Sequence, residues 1–580
     1  MNFLSNTFMN AYRKKHYPNY WDAVALFFVL SLVIFFAWSA KQMSAPYHVG
    51  EPLAISLDPS NLPGYALRTV SRMLLALLFS LIFTFVVATW AVKSKRAEKI
   101  IIPFIDILQS VPILGYLSVA VVAFIGLFPG SMLGPECAVV FVLFTSQAWN
   151  MVLGFYQTMS SVPPDLKEAA NMFHLSAWQR FWRIEVPFSM PGLLWNTMMS
   201  MSAGWFYVVF SEAISVNNQT ISLPGIGSYI ALAINTMNLQ AIGYAILTMF
   251  IVILAYDQFL FRPLVAWSEK FKSDSVSSEQ EASSWLINLF HRTRFMRNLG
   301  RKIAILFDRF VNAAMFRSRA QWHRPTAIAI RWERSVGWAW DIVIFITLIA
   351  ALLYSGQFVV QHVTLSETRH VFMLGLITAL RVFIMIIVCS LIWVPVGVWI
   401  GLRPRLAEVM QPIAQFLAAF PANLLYPLVV IMIVKYHLSV NVWVTPLMIL
   451  GSQWYILFNV IAGATAIPKD LLQVADNLGL NVVLRWRRLI LPAIFPFYIT
   501  GAITAVGGAW NASIAAEVVS WGNEKLVATG LGAYITQYTK AGDFIHIALG
   551  IGMMCILVLV LNRLIWRPLY RLAMTRFPLE

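Results

Sequence analysis

The sequence predicts an all-α integral membrane protein of about twelve transmembrane helices, arranged as two six-helix repeats of parallel topology. Three observations predict it. Hydrophobic residues fill 59% of the 580 positions and charged residues only 12%, about half the charged share of an ordinary soluble domain. Runs such as WDAVALFFVLSLVIFFAWSA (21–40) and AIGYAILTMFIVILAY (241–256) approach or reach the ~20 apolar residues that cross a ~30 Å hydrocarbon core as a helix. The chain also repeats itself. Thr69, Arg72, Arg96, Pro103 and Pro112 recur 309 positions later as Thr378, Arg381, Arg405, Pro412 and Pro421. Trp149, Pro163, Asp165, Pro187, Pro191, Trp205, Glu212, Gly225, Gly227, Tyr229 and Arg262 recur 305 positions later as Trp454, Pro468, Asp470, Pro492, Pro496, Trp510, Glu517, Gly530, Gly532, Tyr534 and Arg567.

Six apolar spans fall in each half, near 21–40, 67–92, 103–127, 135–158, 190–214 and 238–261, then near 338–355, 373–401, 412–434, 442–465, 494–517 and 543–566. An even count returns each half to its starting side, so the repeats are parallel, unlike the inverted repeats of many secondary transporters. The first span follows YRKKHYPNYW and lacks a small-residue cleavage site, which predicts a retained helix with a cytoplasmic N-terminus. The basic segments 93–99 and 402–408 then also fall in the cytoplasm, as does the C-terminus, while 41–66, 215–237, 356–372 and 518–540 lie outside.

The net charge of +16 gathers beside apolar runs, at Arg13, Lys14 and Lys15, at Lys93, Lys95 and Arg96, and at Arg403 and Arg405. That is the positive-inside signature and argues against nucleic-acid binding. Cys137, Cys389 and Cys555 sit in apolar runs, which argues against a disulfide framework. The boundaries predicted are a first repeat at 1–262, a basic cytoplasmic linker at 263–337 and a second repeat at 338–580. Within the linker, LINLFHRTRFMRNLGRKIAILFDRFVNAAMF has helical spacing and a basic face. It reads either as a cationic helix on the inner leaflet or as a solvated linker helix.

One polar segment stands out in each half: KEAANMFHLSAWQRFWRIEVPFSMPG (167–192) and LQVADNLGLNVVLRWRRLILPAIFPF (472–497), within loops 161–187 and 466–492. Each follows a proline-bearing lead, SVPPDL or AIPKDL. Asp165 or Asp470 then lies in the first turn of a short helix, where a carboxylate complements exposed amides and the dipole. Gly479 can take the left-handed conformation that ends a helix, and the steps Val186-Pro187 and Leu491-Pro492 are expected to start the next membrane helix.

These segments resemble the Glu-Ala-Ala loop, with its trailing Gly and Ile-x-Leu-Pro, of permease subunits of binding-protein-dependent ATP-binding cassette importers of type I architecture. Glu168, Ala169, Ala170, Ile184 and Pro187 match in the first copy, and Ala475, Gly479, Leu491 and Pro492 in the second. His174 stands at the family's glycine, and Gln473 and Val474 replace the glutamate and first alanine. The turn after the first short helix is therefore expected to differ from the second. The resemblance implies the type I permease fold in a bacterial inner membrane and coupling helices at 163–175 and 468–480 that dock on cytoplasmic ATPases. No G-x-x-x-x-G-K-[ST] phosphate loop occurs in the chain. The expected partners are therefore two ATPase subunits, which bind the ATP and magnesium, and a periplasmic substrate-binding protein.

SAGWFYVVFSEAIS and GGAWNASIAAEVVS, followed by LPGIGSYI and ATGLGAYI, resemble the branch that imports nitrate, sulfonates such as taurine, or bicarbonate. Iron(III) and thiamine importers, which also include fused double permeases, are the alternative. Intramembrane charges mark functional positions by default. Arg72 and Glu212, and Arg381 and Glu517, have matching depths, so they read either as ion pairs that lower the cost of burial or as arginines facing a passing anion. Trp205, Tyr207, Ser211, Trp510, Asn511 and Ser513 are candidates for lining the pathway, interhelical hydrogen bonding being the alternative. An enzyme would need clustered catalytic or metal-binding side chains, and the nine histidines are scattered without an H-E-x-x-H. An ATP-independent channel or secondary transporter could use twelve helices but has no use for two ATPase-docking loops.

Overall fold

The computed structural model describes residues 20–43, 45–47, 55–216, 219–268, 293–313, 361–522 and 524–576, with 270, 285–287 and a few positions between 342 and 357. Most of the span expected at 338–355 lies outside the described residues. Among the described residues, seven helices are long and apolar enough to cross a membrane, nine if two sharply bent pairs each count as one span. Two compact units hold the described residues: Met1–Met43, Gly154–Met198 and Leu254–Glu333 form one, and Ser44–Leu153, Met199–Ile253 and Arg334–Glu580 the other.

In chain order the first repeat comprises α1 (Tyr20–Met43), α2 (Leu62–Lys93), α3 (Lys95–Ser110), α4 (Ile113–Leu127), α5 (Leu133–Ser160), α6 (Pro164–Met172), α7 (Ala177–Arg180), α8 (Val186–Glu212), hairpin β1 (Ala213–Val216) and β2 (Gln219–Ser222), α9 (Ile226–Asn235), α10 (Leu239–Tyr256) and α11 (Arg262–Ser268). The linker contributes α12 (Arg294–Val311). The second repeat follows with α13 (Leu365–Gly401), α14 (Pro404–Ala419), α15 (Tyr426–Lys435), α16 (Val440–Thr465), α17 (Lys469–Asn477), α18 (Val482–Arg485), α19 (Leu491–Ala516), hairpin β3 (Val518–Trp521) and β4 (Glu524–Val527), α20 (Leu531–Ala541), α21 (Phe544–Leu561) and α22 (Arg567–Arg576).

The long helices are sorted by residue size rather than by polarity. On α2, Leu78, Ile82, Val86 and Trp90 form an exposed stripe at four-residue spacing, while Ser80, Thr84, Ala88 and Ala91 are buried. Lipid solvates bulky apolar side chains as well as protein does, so association favours small residues that admit close backbone approach. α13 does the same against α16: a methyl group at Gly397 or Gly401 would lie 2.8 Å from Val460 or 2.6 Å from Ala464.

Two expectations need correction. The spans expected at 103–127 and 412–434 are each broken: α3 meets α4 at 92° and α14 meets α15 at 76°. Val111 and Phe420 are extended, as residues before proline tend to be, and Pro112 and Pro421 donate no amide. The fifth spans do not start at Val186-Pro187 and Leu491-Pro492. They start at α7 and α18 and pass through a widened turn in which the amide of Val186 bonds to the Phe181 carbonyl and that of Leu491 to the Trp486 carbonyl, five residues back. The sixth spans carry the same turn before Pro263 and Pro568, at Asp257–Phe261 and Asn562–Trp566. A proline ring collides with the carbonyl four residues earlier in a regular helix, and the wider turn accommodates it. Among the described residues, two hairpins of four-residue strands add short antiparallel sheet to the mostly helical membrane fold that the sequence predicts.

Candidate functional site

Both loops singled out in the sequence fold as a short helix, a left-handed turn and a capped second helix. Asp165 lies in the first turn of α6 and Asp470 in that of α17. Glu168 and Gln473 are exposed and Ala169 half-buried, while Ala170 and Ala475, at 1% and 4% exposure, face inward. The helices close identically. The amide of Leu175 bonds to the Ala170 carbonyl at 3.0 Å and that of His174 to the Asn171 carbonyl at 3.0 Å; Leu480 and Gly479 bond Ala475 and Asp476 at 3.1 and 3.0 Å, a Schellman closure. His174 has φ 50° and Gly479 φ 61°, so the histidine adopts the glycine's shape and the expected difference is absent from the backbone. Ser176 and Asn481 then cap α7 and α18. Ile184 lies in the widened turn ahead of Pro187, and Leu491 closes the matching turn ahead of Pro492.

The outer faces are partly apolar. Leu166, Met172 and Phe173 are exposed on the first loop, the last two at 81% and 78%, and Leu471, Val474 and Leu478 on the second. Exposed apolar groups rimmed by polar ones suit a protein partner.

Arg72 and Glu212 meet: Nη1 lies 2.6 Å from Oε1, with both side chains fully buried. Arg381 Nη1 likewise lies 2.9 Å from Glu517 Oε1. Each glutamate also accepts from a threonine hydroxyl, Thr69 at 2.7 Å or Thr378 at 2.8 Å, and from the first turn of a short helix, through Gly227 at 2.7 Å or Ala533 at 3.0 Å. The threonine oxygen accepts from Ile226 or Leu531 of the same turn. Each cluster therefore fastens the N-terminus of α9 or α20, where a carboxylate is favoured. The glycine pairs that follow the hairpins supply the room. A methyl group at Gly225 or Gly530 would sit 2.3 Å from the carboxyl, and one at Gly227 or Gly532 would sit 2.3 or 2.5 Å from the carbonyl of Val209 or Ser513. Tyr229 and Tyr534 tie the same helices to Leu57 and Glu367; burial, then the Glu367 carboxylate, pushes the Tyr534 phenol well above its usual range.

Sequence reasoning missed the third member of each cluster. Glu136 grips Arg72 with both oxygens, at 2.6 Å to Nε and 2.7 Å to Nη2. The residue 305 positions on is Asn441, whose Oδ1 accepts from Arg381 Nη2 at 3.0 Å and from the Thr529 amide at 2.8 Å. The signal was a polar side chain in the first turn of both fourth spans. Arg68, half-buried beside Arg72 and Glu136, has Ile377 as its counterpart at the 309 offset. One additional acid and one additional base thus enter the first cluster together.

The six pathway candidates separate. Trp205, Trp510, Ser211 and Ser513 are buried at 2% exposure or less, and the two hydroxyls bond back to Val208 and Trp510. Asn511 accepts the amide of Ile113 at 2.7 Å and so caps α4 at the broken span. Tyr207 lines a cavity of about 40 Å³ with Phe206, Phe420 and Tyr455. A second cavity, about 160 Å³, lies among Val209, Ile230, Asn423, Tyr426 and Val519, and the Asn423 Oδ1 and Tyr426 hydroxyl have no hydrogen-bond partner. No charged side chain lines either cavity.

Residues 77–260 and 393–568 each match the model of a family described as binding-protein-dependent transport system inner membrane component. The bicarbonate transport system permease protein CmpB of Synechocystis is 29% identical over 175 residues, 30% of this chain and 59% of the relative. The glycine betaine/proline betaine transport system permease protein ProW of Escherichia coli is 30% identical over 199 residues, 34% and 54% of the two chains. The nitrate import permease protein NrtB of Leptolyngbya laminosa is 26% identical over 185 residues, 32% and 63%. The match thus spans between about half and two thirds of each relative's length. With one family model matched on each of its two repeats, the chain belongs to the binding-protein-dependent transport system inner membrane components.

Proposed function

We propose that the chain is the fused permease pair of an ATP-driven importer in a bacterial inner membrane, with both termini cytoplasmic and two separate ATPase subunits below it. The observation that carries this reading is the paired loop. Two exposed short helices, 305 positions apart in sequence, have the same Schellman closure and the same inward alanine, and each offers apolar side chains to a partner. Binding of ATP and magnesium by the partners closes them and draws α6 and α17 together, and the repeats open outward to a substrate-loaded binding protein. Hydrolysis resets them. Purification from native membranes tests this: an ATPase and a soluble binding protein should accompany the chain. Functional preparations lacking any ATPase, with flux that ignores ATP, would refute it.

For the substrate we favour a small oxyanion such as nitrate, bicarbonate or a sulfonate, as the sequence of the fifth spans and two of the relatives' names suggest. A second reading has a specific observation behind it. The uncharged cavity around Tyr207 offers the rings of Phe206, Phe420 and Tyr455, and aromatic faces attract quaternary ammonium groups, as in the betaines named for another relative. Competition by nitrate, bicarbonate, taurine and glycine betaine for uptake distinguishes these. Trp205 and Trp510 are proposed to set the width of the pathway between the fifth spans. W205A and W510A variants that keep both transport and substrate-stimulated ATP hydrolysis would remove that role.

A further inference from the structure

The linker helix α12 packs against the second helix of the first loop. Phe310 packs edge-on to Trp178 at 5.1 Å and Trp182 at 5.9 Å, and Phe307 to Trp182 at 5.6 Å. Polar contacts flank them: Gln179 Nε2 donates to Asn312 at 3.0 Å, and Arg183 reaches Asp308 at 3.2 Å and Asn312 at 3.3 Å. α12 also packs on α1. Only Arg183 keeps its residue type in the second copy, as Arg488; Val483, Leu484 and Arg487 stand where the first copy has Trp178, Gln179 and Trp182, and all four are exposed, Val483 at 75%. The contact is therefore a property of the first repeat.

The rest of the α12 surface has its own chemistry. At 100° per residue, Ile303 and Leu306 continue the face that carries Phe307 and Phe310 but are not in the ring contacts with the tryptophans, with Lys302 and Arg309 along its edge beside Leu306 and Arg301 on the opposite side. Ile303 and Leu306 are exposed at 57% and 62%, and Arg301, Lys302 and Arg309 are exposed too. An apolar face edged with cations matches the interface of a bilayer containing anionic lipid. The only acid in α12, Asp308, lies away from this edge and is engaged by Arg183, so the charges beside Leu306 are the cations Lys302 and Arg309.

We infer that α12 is an anionic-lipid-binding helix that ties the first coupling loop to the inner membrane surface, so that lipid charge biases one of the two ATPase docking sites. The coupling part rests on the importer reading; the lipid part does not. The test is full-length protein in which Cys137, Cys389 and Cys555 are replaced and Leu306→Cys carries an environment-sensitive fluorophore. The protein is reconstituted without ATPase into phosphatidylcholine, with or without phosphatidylglycerol. The expected result is a blue shift that requires phosphatidylglycerol and weakens at high salt. Neutralising Arg301, Lys302 and Arg309 together (R301Q/K302Q/R309Q) should lower the helix's surface affinity on the order of a hundredfold and abolish the shift, whereas R301K/R309K should keep it. Identical spectra in both lipids would overturn the proposal. So would shielding that appears only when the ATPase is added, which would assign the face to a protein partner. With the ATPase present, wild-type coupled activity should rise with phosphatidylglycerol while that of the neutralised variant stays flat; a rise in both would remove the link to the coupling loop.

Discussion

Removing one glutamate should destabilise the two repeats unequally, because the buried arginines differ in what remains. In Glu517→Ala, Arg381 keeps, among the described residues, only the hydrogen bond to the neutral Asn441 at 3.0 Å. An arginine at 7% exposure without a counter-charge costs about 3–5 kcal/mol, the usual result of breaking a buried pair from one side. In Glu212→Ala, Arg72 keeps the two-pronged grip of Glu136 at 2.6 and 2.7 Å. What is lost there is chiefly a charge-assisted hydrogen bond and the clamp on α9, roughly 1.5–3 kcal/mol. The assay is resistance of the purified protein to thermal and SDS unfolding in one detergent, with Glu517→Ala expected to unfold first. A rescue sharpens the test. Asn441→Glu places a carboxylate at the position equivalent to Glu136 and should recover much of the Glu517→Ala loss, while the same substitution in the wild type should not stabilise. Equal losses in the two single variants, or no rescue, would refute the reasoning that Glu136 is the first cluster's reserve counter-charge.

Gly225→Ala and Gly530→Ala should each prevent accumulation of folded protein, since the new methyl would meet a buried carboxyl at 2.3 Å. Gly243→Ala, with open space around it, should be neutral or stabilising by up to about 1 kcal/mol; detergent-extractable yield reads both. In the coupling loops, Glu168→Ala should reduce ATPase coupling more than Gln473→Ala, because only the first removes a carboxylate, and matched losses in reconstituted transport would argue otherwise. At the start of α21, Asp543 accepts the amides of Ile545 and His546. Partial burial opposes ionisation of its carboxyl, but those bonds and the His546 ring hold it below the usual range. A lowered acid stabilises the fold above its unfolded value of about 4 and loses that contribution as pH falls through the folded one. Asp543→Ala should thus cost about 1 kcal/mol at neutral pH and narrow its deficit relative to wild type below about pH 4, which acid-unfolding midpoints will show.

Much was legible in the sequence because it is local or repeated. Apolar runs mark helices wherever lipid cannot satisfy a free amide, and a fixed offset marks two copies of one unit. Within that unit, Arg72 could be matched with Glu212 by depth alone. Asp165 and the alanine pair at 169–170 marked a short helix by its start. Pro112 and Pro421 were visible as paired prolines, yet whether a proline merely kinks a span or breaks it depends on what receives the freed backbone groups. At Ile113 the receiver is Asn511, 398 residues away.

The sequence by itself determined the membrane class, the duplication, the short loop helices and two arginine–glutamate pairs of matching depth, since each follows from composition, period or offset. Only the tertiary structure decided which groups complete those pairs and which helix lies on the first loop. Glu136 and Asn441 reach the arginines across about sixty residues, and Phe310 reaches Trp178 across 132. Such contacts are set by helices packing side by side, which no local period records.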